Sequence, residues 1–213
     1  MRRTTVPCLI SILFLGLALA CGGGSSQPAA SPAPATPATG MAYTDPTASG
    51  WRLVKDTSST TTHLVLNLVG PAGFKTRGVG FNLQGPSSIK FGAFDNGLPI
   101  RDTGVYELLS AANDPNEPVA LIGGVKKGNL LSVGIYQKDL AHGAKDSGSP
   151  LCQIALEFNA SAGLATGDVL PLAVPKAKVI PEDIGSPSDA AWTLDQKMRM
   201  ADIQIAVGTL SAR

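Results

Sequence analysis

The sequence predicts an all-β fold, a two-sheet β-sandwich, and three observations predict it. From residue 51 onward, apolar residues recur at every second position. Turn-forming clusters interrupt these runs at short intervals. Glycine (24) and proline (16) make up nearly a fifth of the 213 residues, which leaves little room for long helices.

Taken in order, the first strong element is 62–69, where Leu64, Leu66 and Leu68 point to one face and His63 and Asn67 to the other. Val79, Phe81 and Leu83 repeat the pattern between Gly78, Gly80, Asn82 and Gln84. Ile89-Lys90-Phe91, residues 119–122 and residues 129–135 follow, then Cys152 to Phe158, and near the end Ile203 to Val207. Gly70-Pro71, Gly85-Pro86, Asp95-Asn96-Gly97, Asp114-Pro115-Asn116, Lys126-Lys127-Gly128-Asn129 and Gly185-Ser186-Pro187 separate them as turns. Eight to ten short strands so spaced read as a sandwich or barrel. Helix is confined to two short candidates, 104–110 and 137–142. A transmembrane barrel needs strands of about 9–11 residues with aromatic girdles. After removal of the N-terminal segment described next, only ten aromatic residues remain, so the sandwich is preferred and its core must be aliphatic.

Residues 1–20 open with Arg2 and Arg3 and continue into an uncharged apolar run from Ile10 to Ala20, the plan of a secretory signal. Leu17-Ala18-Leu19-Ala20 leads directly into Cys21, followed by three glycines and two serines. A small residue before a cysteine at the end of such a run resembles the lipobox of bacterial lipoproteins, with Ala18 standing where leucine is commonest. The resemblance implies cleavage before Cys21, a diacylglyceryl group on its thiol, acylation of the new amine, and anchoring in the lipid bilayer. Gly22 after the cysteine implies the outer membrane of the cell envelope. Cleavage removes Arg2 and Arg3 and leaves 15 basic against 16 acidic residues, a net charge of −1. That balance excludes a nucleic-acid binder, which needs cations to displace the counterions of phosphate. Cys8 is lost and Cys21 modified, so Cys152 is the one free thiol, and its apolar surroundings predict burial.

Residues 21–42 are expected to be a tether: 22–40 contain no charge and nothing larger than glutamine. Extended in polyproline II, such a stretch reaches about 60 Å. The sandwich is expected over 43–213.

The order of strand features resembles the cohesin-like sandwiches, of jelly-roll type. Gly78-Val79-Gly80-Phe81-Asn82-Leu83 is similar to a characteristic strand of those modules, and Gly128 to Val133 to a later hairpin. Leu151 to Phe158 is similar to an apolar strand ending in phenylalanine, and Gly167-Asp168-Val169-Leu170-Pro171-Leu172 to the strand after it. The resemblance runs from Leu64 to Val174 and implies a non-catalytic module that binds a protein partner on one sheet face. Related sandwiches bind polysaccharide.

Catalytic motifs do not emerge. Gly123 to Asn129 has the glycine spacing of a P-loop without its Lys-Ser/Thr, and a hairpin turn explains it. There is no Gly-x-Ser-x-Gly elbow and no His-Glu-x-x-His, and nothing implies a cofactor. His63 reads as a solvated sheet residue. His142, in a loop near Asp139 and Asp146, is the better candidate base for a hydrolase, which would also need a serine and a carboxylate. Asp95, Asn96 and Asp102, and the run 113–117, are oxygen-rich loops with calcium-ligand chemistry, although Asx residues occupy turns for backbone reasons alone. Sugar binding needs exposed flat rings, for which Trp192 and Tyr136 are the candidates, whereas Trp51 is expected in the core. A protein-binding module is therefore the first reading, a carbohydrate-binding module the second and a hydrolase the third.

Overall fold

The computed structural model describes residues 34–105, 120–137, 143–182 and 200–213. Within them the chain forms strands β1 (Met41–Thr44), β2 (Arg52–Lys55), β3 (His63–Val69), β4 (Lys75–Gln84), β5 (Ile89–Phe91), β6 (Ile100–Asp102) and β7 (Ala120–Lys127). They continue as β8 (Leu130–Gln137), β9 (Lys145–Asp146), β10 (Cys152–Phe158), β11 (Ala173–Pro181), β12 (Ala201–Asp202) and β13 (Thr209–Ala212). One short 3-10 turn, Ala160–Ala162, is the only helical element among the described residues. No helix among them is long and apolar enough to cross a membrane. Both helix candidates of the sequence lie largely outside the described residues.

The strands make a two-sheet β-sandwich. One sheet runs β2-β3-β10-β5, with β6 also on β10; the other runs β12-β11-β4-β8-β7, with β9 on β4. Every strand pairing is antiparallel. The alternation anticipated from sequence decides which residues meet between the sheets. Leu64, Leu66 and Leu68 of β3, with Ile154 and Leu156 of β10, face Val79, Phe81 and Leu83 of β4 and Leu131, Val133 and Ile135 of β8 in one aliphatic cluster. Eight of these, Leu64, Leu66, Leu68, Leu83, Leu131, Ile135, Ile154 and Leu156, are fully buried. Trp51 closes one end of the core against Phe74, with ring centroids 5.8 Å apart and nearly perpendicular. Cys152 is fully buried, and burial pushes its thiol up to about 12.

The β7–β8 hairpin turns at Gly128 and Asn129, where Gly128 has φ +58, a conformation that tight hairpin turns require. The oxygen-rich loop at 95–102 likewise uses its side chains for its own backbone. Asn96 Oδ1 accepts from the Leu98 N–H at 2.9 Å, and Asp102 Oδ1 accepts from the Gly104 N–H at 2.9 Å. The second oxygen-rich run, 113–117, lies outside the described residues.

Three expectations need adjusting. Residues 167–172 are not a strand: Gly167 turns with φ +95, Pro171 has no N–H to give, and a single bridge joins Val169 to Ser211. Residues 203–207 are extended but join β2 only through a parallel bridge at Ala206, and the closing strand is β13 instead. The compact unit begins at Ala35, ahead of the expected boundary at 43. Its early start has a backbone cause: Pro37 bridges Ala165, and the N–H groups of Thr39 and Gly40 donate to Arg213 O. Strand β1 then pairs with β13, tying the start of the domain to its end.

Candidate binding face

The two outer faces of the sandwich differ in what they leave unsatisfied. On the five-stranded sheet, polar side chains are spent on one another. Asn67 Nδ2 donates to Asp56 Oδ2 at 2.8 Å, and Gln153 Nε2 donates to Asp56 Oδ2 and Asn67 Oδ1, each at 3.0 Å. Arg101 Nε donates to Gln153 Oε1 at 2.6 Å, and its guanidinium lies 4.6 Å from the centre of the Phe94 ring. Hydrogen bonds from the Ser58 hydroxyl and N–H, and then from Asn67, hold the Asp56 carboxyl below its ordinary range. His63 belongs to this face. Its Nδ1 is 3.9 Å from Glu157 Oε1, and its ring meets Phe94 edge-on at 6.2 Å. It is the partly exposed sheet residue its sequence position indicates.

The six-stranded sheet has a different outer surface. Register places Asp202, Lys178, Gly80, Gly134 and Gly123 in one row across its five main strands. One neighbouring row contains Ile180, Gly78 and Tyr136, and the other Lys176, Asn82 and Ser132. These rows lie about 7 Å on either side, two residues along each strand. The central row lacks side chains on three adjacent strands, so the sheet carries a trough. A depression of about 270 Å³ is lined by Gly80, Asn82, Lys176, Lys178 and Met200. A second of about 90 Å³ shares Gly80, Lys178 and Met200 and adds Gly134, Tyr136 and Ile180.

Among the described residues, nothing crowds the outer side of the floor glycines at Gly80 and Gly134. Neither Gly80 nor Gly134 has a positive φ. A Cβ on Gly80 would meet nothing nearer than Val133 O at 3.7 Å, and one on Gly134 nothing within 4 Å among the described residues. Gly78 is the contrast: there a Cβ would stand 2.5 Å from Tyr136 Cβ and 2.6 Å from Ile135 O, so the fold excludes it. A glycine inside a strand costs about 0.5–1 kcal/mol relative to alanine. Two with open space above them among the described residues leave bare backbone that a ligand or another chain can approach closely.

The walls supply apolar contact and charge. Met200 is 42% exposed and Tyr136 38%, both high for large apolar side chains. Lys178 Nζ pairs with Asp202 Oδ1 at 3.0 Å, while Lys176 is exposed and has no carboxylate partner among the described residues. Among the described residues, no cluster of three His, Cys, Asp or Glu suited to a metal ion is present.

Of the residues singled out from sequence, Tyr136 is at this trough. Trp192, His142 and Cys21 lie outside the described residues. Lys176, Lys178 and Met200 escaped the sequence reading. Gly80 and Gly134 carried a signal, since both fall at outward positions of apolar alternations, yet only strand register shows that they are opposite one another.

Among the described residues, the sandwich thus has one outer face with a network of mutually bonded polar side chains and one with a side-chain-poor trough edged by two lysines. No protein-family model matches the chain, and no curated protein matches it either. Among solved structures it is similar to cohesin modules. One is the cohesin of a type II cohesin–X–dockerin complex from Acetivibrio cellulolyticus, with 8% identity over 75% of this chain and 95% of that one and a TM-score of 0.49. Another is the second type II cohesin of the adaptor scaffoldin ScaA from the same organism, with 9% identity, coverages of 76% and 93%, and a TM-score of 0.47. A non-cellulosomal cohesin from the archaeon Archaeoglobus fulgidus has 11% identity, coverages of 74% and 86%, and a TM-score of 0.41.

Proposed function

We propose that this chain is a lipid-anchored, non-catalytic module that holds a protein partner at the bacterial cell envelope, with the six-stranded sheet as its binding face. The observation that carries the reading is the glycine floor. Gly80 and Gly134 weaken their strands, no side chain among the described residues packs on them, and binding is the use that their bare backbone supports. The sequence resemblance to cohesin modules supports the same reading, and the lipobox ending at Cys21 supports the anchor. The polysaccharide alternative needs a second flat ring beside Tyr136. Within the described residues the depression beside Tyr136 is lined by Met200, Lys178 and the mostly buried Ile180, none of them a flat ring.

The test is capture from envelope extract on the full-length protein, wild type and Gly134→Trp side by side. A partner retained by wild type and lost with Gly134→Trp supports the reading; equal retention by both overturns it. For the anchor, Cys21→Ser is expected to move the protein from the membrane to the soluble fraction with an unchanged melting temperature. A variant still membrane-bound after washing would refute acylation at Cys21.

A further inference from the structure

The chemistry of the trough specifies more than a generic partner. Among the described residues, its outer face carries Lys176 and Lys178 at one end and Lys127 at the far end of the β7–β8 hairpin, against one aspartate, Asp202. Lys176 and Lys178 are two residues apart on one strand, so their side chains leave the same face about 7 Å apart. Asp202 is 80% exposed and reaches Lys178 from the two-residue edge strand β12. Such an exposed pair contributes little to stability, so replacing Asp202 at Lys178 has a small cost. Asp202 in effect shows where a carboxylate binds on this face. Beside the lysines, Met200 and Tyr136 border a floor with no side chains.

Resting on the reading above, we propose that the occupant of the trough is an acidic polypeptide segment. One carboxylate engages Lys176, a second takes the place of Asp202 on Lys178, and an apolar side chain lies between Met200 and Tyr136 over Gly80 and Gly134. A polypeptide fits better than an acidic polysaccharide because Tyr136 is the one aromatic ring at the rim among the described residues, and across from it stand the Met200 thioether and the aliphatic Ile180, which suit an apolar side chain better than a second sugar ring.

The test is selection of random dodecapeptides displayed on phage against the full-length protein, followed by titration of an enriched peptide. Enriched sequences are expected to combine paired Asp or Glu with an apolar residue. Lys176→Glu is expected to weaken the peptide by about tenfold or more, as for a close charge pair at an interface. Lys178→Gln should weaken it less, and Asp202→Asn should strengthen it by removing the competing carboxylate. Raising salt from about 0.05 M to about 0.5 M should weaken binding, because exposed charges are screened. Neutral or basic enriched peptides, an affinity indifferent to Lys176→Glu, or tighter binding of polygalacturonate than of any peptide would overturn the proposal. Lys176 is exposed and Lys178→Gln removes the charge but keeps a polar side chain, so melting curves separate a lost contact from a lost fold. If Gly134→Trp abolishes partner capture while Lys176→Glu does not, the acidic assignment fails and the binding face stands. If Gly134→Trp leaves capture intact, the binding face itself fails.

Discussion

Alanine at Gly78 and alanine at Gly134 should change stability in opposite directions, although both are outward-facing glycines on adjacent strands β4 and β8. At Gly78 the new methyl would stand 2.5 Å from Tyr136 Cβ, 2.6 Å from Ile135 O and 2.8 Å from Tyr136 Cα. Two of these three are backbone atoms held by the β4–β8 ladder, so the strands themselves must separate. Overpacking of this kind costs about 1–3 kcal/mol. At Gly134 the methyl meets nothing within 4 Å among the described residues, and φ is not positive. The dominant effect there is the reduced freedom of the unfolded chain, a gain of about 0.4–1 kcal/mol. In a domain of this size 1 kcal/mol moves the melting temperature by about 2–4 °C. Gly78→Ala should therefore melt about 2–12 °C lower than wild type and Gly134→Ala about 1–4 °C higher. Urea unfolding followed by far-UV circular dichroism gives the same comparison as a shift of midpoint at constant slope. If Gly134→Ala lowered stability by more than about 1 kcal/mol, the claim that the floor glycine is free of packing would be wrong. A neutral Gly78→Ala would equally refute the steric reading of its neighbour. The functional corollary is that the more stable Gly134→Ala binds its partner more weakly, since the methyl occupies the floor.

Two further outcomes follow from buried polar groups. Tyr43 OH donates to Leu53 O at 2.9 Å and accepts from the Gly208 N–H at 2.7 Å, so Tyr43→Phe leaves both backbone groups unpaired and should cost about 1–3 kcal/mol in urea unfolding. Burial pushes the Tyr43 phenol from its ordinary 10.0 up to about 12, and the Cys152 thiol from 9.0 up to about 12. The folded state holds these protons where the unfolded state has released them. Their contribution is thus complete below pH 9 and lost as pH rises towards 12, and Tyr43→Phe should make that alkaline loss shallower. The same burial makes Cys152 inert to iodoacetamide at pH 8 until the domain unfolds; rapid labelling of the native protein by mass spectrometry would contradict its place in the core.

Much of the sandwich was legible because its core obeys a local rule. Side chains alternate across a strand, so Leu64-Leu66-Leu68 and Val79-Phe81-Leu83 declare an inner face from spacing alone. The rule weakened where backbone partners rather than side chains decide. Ile203, Ile205 and Val207 alternate as a strand would, yet only Ala206 forms a bridge, because the edge of β2 offers that segment a single parallel pairing. Residues 35–42 read as tether by composition, yet Pro37, Thr39 and Gly40 find backbone partners at Ala165 and Arg213.

By itself the sequence determined the all-β class, the aliphatic core and the burial of Cys152, all consequences of period and polarity that act over a few residues. It also singled out Tyr136 without saying what stands beside it. Only the tertiary structure assembles the proposed binding face. Gly80 and Gly134 are 54 positions apart, Lys178 and Asp202 are 24 apart, and antiparallel register brings all four into one row. Register is a property of pairs of strands, so no single strand carries it. The trough exists because residues that are unremarkable in their own segments become neighbours across the sheet.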